Sequence, residues 1–210
     1  MAKLYGFDLS TPTNKIRFCA NLIGIDLKSI PIDLGKGENQ TDEYLSMHPA
    51  GKVPVLDDDG FVLFESNAIM KYLCRKHDSD LYPQDTQKQA LVDQWCDFVS
   101  AHVGDGYGRI VLNKIIANSS GMAIDERSVN DRLYRFLAVI EGQLGRTRFL
   151  AGDELTIADI CLLSTIDPTE MREVDLGNFP KLSAWREDLR SQDFYQKVHR
   201  FYGESMMAPA

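Results

Sequence analysis

The apolar residues change their spacing once along this chain, near Asp78, and that change limits the possible folds more than any other feature. Before it, short apolar runs alternate with segments of helical period. "KLYGF" (3–7) reads as a strand. Residues 13–24, with Ile16, Cys19, Ala20 and Ile23, have helical spacing. "KSIPIDL" (28–34) reads as a second strand, with Pro31 at an edge or a strand end. "TDEYLSMH" (41–48) predicts a short helix. "VPVLDDDGFVLFE" (53–65) predicts a β-hairpin turning at Asp-Asp-Gly. A helix over 66–76 follows, so the order is βαβαββα.

After Asp78 the period is helical almost throughout. A polar, proline-containing stretch (77–87) separates the halves. Helices are expected over 87–118, 125–144, 156–167, 180–190 and 192–200. Within "LTIADI" (155–160), Thr156 is placed to cap, Asp159 to reach back, and Leu155 to meet Ile160. The resulting division is a mixed α/β domain at 1–78, a linker at 79–88, a helical domain at 89–204 and a tail at 205–210.

Composition excludes several classes of function. The net charge is −8 without any basic run, which disfavours nucleic acid as a partner. No apolar run approaches a membrane span, and "MAKLYGF" lacks the apolar core of a secretory signal, so a soluble cytoplasmic protein is expected. Cys19, Cys74, Cys96 and Cys161 form no C-x-x-C pair and have no metal-site spacing; buried, reduced thiols are expected and no metal.

Three stretches carry chemistry. In "LSTPTNKIRF" (9–18) an apolar run ends, hydroxyl residues follow, and a helix begins near Pro12 or Thr13. In "GKVPVL" (51–56) a proline opens the hairpin. In "FESNAIMKYL" (64–73) Glu65 and Ser66 stand where the hairpin gives way to a helix, whose unpaired N–H groups favour a carboxylate. Taken alone, Ser66 reads as a helix cap, Pro54 as the start of a strand and Lys52 as a solvated lysine.

In this order, before a helical half containing "LTIADI", the three stretches resemble the cytosolic glutathione transferases over almost the whole chain. The likeness is to the bacterial, theta- and delta-like serine type. The resemblance implies an α/β thioredoxin-like N-terminal domain, an all-α C-terminal domain and a homodimer. It implies glutathione as cosubstrate, no metal, and conjugation of its thiolate to small apolar electrophiles in detoxification. A glutathione-dependent disulfide or peroxide reductase and a non-catalytic glutathione-fold binding or regulatory protein are the alternative functions.

The resemblance also implies site residues. Val53, ahead of a cis peptide at Pro54, offers its main chain to the tripeptide as an added strand would. Glu65 meets the γ-glutamyl ammonium and Ser66 the carboxylate, while Asn39 and Lys52 are candidates for the glycine carboxylate. Asn39 aligns with a histidine of theta-like members, and Gly51 replaces a polar residue of several relatives.

Ser10 aligns with the catalytic serine. A thiol of pKa ~8.5 is only about 3% ionised at neutral pH, and lowering that value by two units takes roughly 2.7 kcal/mol. A hydroxyl donor and a helix N-terminus are suited to supply it. Thr11, with Asn14, is the rival for contact with the sulfur. Cysteine, which redox relatives carry here, is missing, so the sulfur must come from the ligand.

In the second half, "AHVGDGYGRIV" (101–111) has three glycines within five residues, which points to a bend or to space beside a ligand. The family places the electrophile pocket and the dimer seam on this helix. Asp105 and Arg109, one turn apart, are the pocket candidates, and Asp97 or Asp105 is a candidate to cross a dimer. His102 reads as a structural residue, and Trp95, Phe98 and Val99 read as core or interface.

Overall fold

The computed structural model describes residues 1–108, 126–167 and 174–198. Two compact units are present: Met1–Tyr82 together with the chain from Arg190, and Pro83–Leu189.

The first unit is built on a four-stranded sheet. The elements run β1 (Lys3–Gly6), α1 (Thr11–Ile23), β2 (Lys28–Pro31), a 3-10 turn (Glu38–Gln40), α2 (Asp42–Met47), β3 (Val55–Asp58), β4 (Phe61–Phe64) and α3 (Ser66–Lys76). This is the expected βαβαββα order. The strand order is β2-β1-β3-β4, with β1 parallel to β2 and antiparallel to β3, and β3 antiparallel to β4. Pro31 satisfies both of its expected placements, since β2 is an edge strand and ends there. The strand is shorter than its apolar run because Ile32 leaves the ladder to join a small core with Tyr44 and Val55. The hairpin turns on Asp59 and Gly60, both with positive φ (52° and 94°).

Topology sets where the loops fall. Because β1, β2 and β4 run one way and β3 the other, the segments that follow β1, β2 and β4 and the segment that precedes β3 all emerge at one end of the sheet. Helices α1 and α3 pack together with Ile16, Phe18, Cys19, Ile69, Met70 and Leu73 at 0–1% exposure. The helical segment 193–198, the last among the described residues, completes this core: Phe18 stacks on Tyr195 at 5.3 Å, and the Asn21 amide donates to the Phe194 carbonyl at 2.9 Å. The sequence reading places these residues in the helical domain. Their aromatic side chains are buried instead in the first unit, because Phe18 presents a ring face there.

The second unit holds α4 (Thr86–Phe98), which continues as a wider π-helical stretch (Val99–Gly104), α5 (Glu126–Leu144), α6 (Ile157–Ile166) and α7 (Pro180–Arg190). Helix α6 is apolar all round and its residues 157–163 are buried throughout, as befits a central helix. Its start is the expected capping box: the Thr156 hydroxyl accepts from the Ala158 N–H, and the Asp159 carboxylate accepts from the Thr156 and Leu150 N–H groups at 3.0 and 2.9 Å. The glycine cluster begins at Gly104, the last residue of the π-helical stretch. Space beside Gly106 is taken by protein: an added Cβ would meet Leu133 Cδ1 at 3.0 Å. Trp95 and Val99 are buried, as expected of core residues. His102 stacks on Phe136 (4.6 Å between centroids) and lies edge-on to Phe98.

At the other end of the sheet Asp58, its side chain 4% exposed, accepts from the Tyr72 hydroxyl at 2.6 Å and from the Lys76 ammonium. These donors, Lys76 first, hold its carboxyl below the ordinary range. A depressed folded value stabilises above the unfolded pKa, near 3.9, and is lost as pH falls through the folded one. Asp58→Asn should therefore cost about 1–3 kcal/mol at pH 7. In urea denaturation that deficit should shrink below about pH 4; a deficit independent of pH would remove the charge from the account.

Candidate active site

Ser10 is the N-cap of α1. Its backbone is extended (φ −81°, ψ 115°) and its Oγ accepts from the Thr13 N–H at 3.3 Å. Accepting one bond leaves the O–H proton of Ser10 to donate, so capping and contact with an anion are compatible. Thr11 is the first residue of the helix proper and Pro12 lies in its first turn, where a missing N–H costs nothing. The loop before α1 is held from beneath. The Ser10 N–H donates to the Phe7 carbonyl, the Asn14 amide to the Asp8 carbonyl, and Arg17 to the Asp8 carboxylate and to Asn14 Oδ1. Asn14, 1% exposed, is held by these bonds to the loop before α1.

Helix α3 begins differently. Its N-cap is Glu65, not Ser66, and no side chain caps it. Glu65 has φ 71° and ψ 111°, a conformation that costs a non-glycine residue about 1–3 kcal/mol. Ser66 is the first helical residue, so its hydroxyl is not spent on the cap. A helix start of this kind carries partial positive charge, which favours an anion.

The two helix starts are tied together. Lys15, 6% exposed, donates from Nζ to Asn67 Oδ1 at 2.9 Å, and Asn67 is the second residue of α3. Neither residue was singled out in the sequence; a lysine beside Ile16 carries no sign that its ammonium will be buried.

Between these starts runs the segment before β3. The Val53–Pro54 peptide is cis, in agreement with the resemblance. The ladder begins only at Val55, so Val53 lies outside it, its side chain packed on the Ile32–Tyr44–Val55 core. Tyr44 donates its hydroxyl to the Lys52 carbonyl at 2.8 Å. Burial pushes that phenol up to about 12, so it remains a donor at any physiological pH.

Asn39 donates to the Gly51 carbonyl at 2.6 Å, and Gln40 reaches the same oxygen at 3.5 Å. Asn39 therefore braces the turn at Gly51. Gly51 has φ +58°, and a Cβ there would sit 2.5 Å from Gln40 Nε2 and 2.9 Å from the Asn39 carbonyl oxygen, which accounts for glycine at this position. Lys52 is exposed. Ser10, Thr11, Asn39, Lys52, Val53, Pro54, Glu65 and Ser66 all belong to the first unit and all follow or precede strands at one sheet end. Asp105 is a half-buried residue of the second unit, and Arg109 lies outside the described residues.

Family models cover most of this chain: glutathione S-transferase, N-terminal domain, over residues 2–75, and glutathione S-transferase, C-terminal domain, over 106–193. The chain belongs to the glutathione transferase family. Among relatives of this family, glutathione S-transferase D7 of Drosophila melanogaster is 33% identical over 87% of this chain and 81% of its own. Glutathione S-transferase F13 of Arabidopsis thaliana is 32% identical over 93% and 94%. The solved delta-class glutathione transferase of Nilaparvata lugens superposes with a TM-score of 0.86 at 31% identity, covering 94% of this chain and 92% of that one. The glutathione transferase fold thus accounts for both halves of the chain, the four-stranded mixed sheet and the helical unit.

Two glycine substitutions of opposite sense separate strain from packing. Gly51→Ala places a side chain at positive φ against backbone and should lower stability by about 1–3 kcal/mol. Glu65→Gly relieves positive φ and should unfold at no lower a temperature than the wild type. Thermal unfolding of the two variants checks both; equal losses would show that Glu65 is not strained.

Proposed function

We propose that this glutathione transferase conjugates the thiolate of glutathione to small apolar electrophiles, with Ser10 as the group that stabilises the thiolate. The observation that carries this reading is the geometry of the Ser10 cap, whose oxygen accepts from the helix while its proton stays available. A thiolate placed there receives a hydroxyl donor and the positive end of α1, and neither requires a metal. Thr11 is the neighbouring hydroxyl, and Asn14 is held to the Asp8 loop.

Around that sulfur, the main chain of Val53 pairs with the backbone of the tripeptide. The uncapped start of α3 and Ser66 receive the γ-glutamyl carboxylate, and Glu65 its ammonium. Lys52, next to Gly51 in sequence, serves the glycine carboxylate, with Asn39 holding that turn in shape. The family's electrophile pocket would draw on Asp105 and Arg109.

The homodimer is part of this proposal. On the edge strand β4, Phe61, Val62 and Phe64 are 50%, 39% and 40% exposed, an apolar edge that a second copy would cover. Cytoplasmic residence is also proposed, supported by four buried cysteines in the thiol form. No helix among the described residues is long and apolar enough to cross a membrane.

Absorbance of bound glutathione thiolate against pH tests the chemistry. Wild type should hold thiolate at pH 7, and Ser10→Ala should raise the thiol pKa by about one to two units, with turnover at neutral pH reduced at least ~10-fold. Thr11→Ala should leave the titration in place; an unchanged titration in Ser10→Ala would remove Ser10 from the role, and failure to bind glutathione would leave a scaffold. For assembly, light scattering should show a dimer in the wild type and monomer in Phe61→Glu/Val62→Glu, whereas a wild-type monomer would refute the dimer.

A further inference from the structure

Two of the four cysteines meet in the core of the first unit. Cys19 of α1 and Cys74 of α3 are 0% and 1% exposed, and their sulfurs are 3.7 Å apart. We propose that Cys19 and Cys74 form a modification site, a dithiol that a hydroperoxide converts into a disulfide joining α1 to α3. The proposal is independent of the conjugation reaction, because both sulfurs lie more than two helical turns from Thr11 and Ser66.

Three features set this pair apart from buried thiols that merely pack. The first is proximity across two helices. A disulfide needs sulfurs roughly 2.0 Å apart and Cα atoms about 4.4–6.8 Å apart. From 3.7 Å the two sulfurs have only about 1.7 Å left to close. The second is polarity. The hydrogen bond between the thiols pushes the Cys19 thiol up, with burial adding to it, and pulls the Cys74 thiol down, where Ser79 and Arg75 also favour the anion. Those directions favour Cys74 as the attacking sulfur. The third is position. Cys74 lies in the last turn of α3, which ends at Lys76, and helix ends open more readily than helix centres. Small oxidants gain access there without global unfolding.

The chemistry balances with one equivalent of hydroperoxide. The Cys74 thiolate attacks the terminal peroxide oxygen and the O–O bond breaks. The departing oxygen takes up the proton that Cys74 released, giving an alcohol, or water from hydrogen peroxide. Cys74 is left as a sulfenic acid. The Cys19 sulfur then attacks the Cys74 sulfur, the S–O bond breaks, and hydroxide leaves with the Cys19 proton as water. Two electrons pass from the two thiols to the peroxide, and the sulfenic acid is consumed before it oxidises further. A dithiol reductant reverses the change.

Cys161 has a different setting, with its sulfur 3.9 Å from the Ser100 hydroxyl and from the Cys96 carbonyl oxygen, and it serves with Cys96 as an internal comparison. The test is to treat the folded, fully reduced protein with hydrogen peroxide, unfold it in the presence of iodoacetamide, digest it and analyse the peptides by mass spectrometry. The expected product is one peptide pair linked through Cys19 and Cys74, lighter by two hydrogens and released by dithiothreitol, with Cys96 and Cys161 alkylated. Alkylation of Cys19 and Cys74 after treatment overturns the proposal, as does their conversion to sulfinic or sulfonic acids without a link, or random linkage among all four. In Cys19→Ser, dimedone should label Cys74; labelling of Cys19 in Cys74→Ser, without labelling of Cys74 in Cys19→Ser, would overturn the assigned order. The wild-type experiment decides the site even if neither variant folds.

Discussion

The direction of four short strands is the constraint on which the rest of the first unit depends. Each strand is four residues long, and β3 alone runs against the others. A chain leaving β1, β2 or β4, or entering β3, must pass the same end of the sheet. The Ser10 turn, the Asn39 turn, the Val53–Pro54 segment and the start of α3 are those four passages. They lie more than forty residues apart in sequence at the extremes, yet hydrogen-bond geometry in the ladder brings them to one place. The ladder also fixes the opposite end, where Lys3 pairs with Asp57 at 2.9 Å and Asp58 is held by Tyr72 and Lys76.

Helix packing refines what the strands bring together. Lys15 meets Asn67 near the helix starts and Cys19 meets Cys74 further along, so α1 and α3 run in the same sense and present their N-termini together. Two positive helix ends side by side repel each other and favour a bound anion. The local chemistry at each end is distinct. At α1 the cap is filled by Ser10 and the loop beneath is locked by Asp8, Asn14 and Arg17. At α3 the cap is left open, and Glu65 holds a conformation that local preference opposes. Such a departure from local rules is the pattern expected where binding, rather than folding, selected the residues.

Much of this was legible beforehand, for identifiable reasons. Element order followed from the switch between two-residue and helical period, and the capping box at Thr156 from residue types at fixed spacing. The glutathione transferase resemblance rested on three motifs whose order survives any error in helix ends. What short-range spacing does not carry is where side chains act away from their own element. "KSIPIDL" was too long because the burial of Ile32 looks the same in sequence whether it lies in a strand or beyond it. Residues 193–198 read as part of the helical domain because period reveals a helix but not the surface on which it packs. Ser66 looked like a cap because serine is favoured there, whereas the strained backbone at Glu65 moved the cap back by one residue.

By itself, the sequence determined the kinds of element, their order, the absence of a cysteine at the α1 turn and the hydroxyls that stand there, because each depends on residue type and near-neighbour spacing alone. Only the tertiary structure decided which hydroxyl caps, that Asn14 is spent on the Asp8 loop, that Asn39 braces Gly51, that Lys15 is buried against Asn67 and that two cysteines 55 positions apart share one contact. Those facts depend on strand direction and on the packing of one helix against another, and both are products of long-range burial that no short stretch of chain encodes.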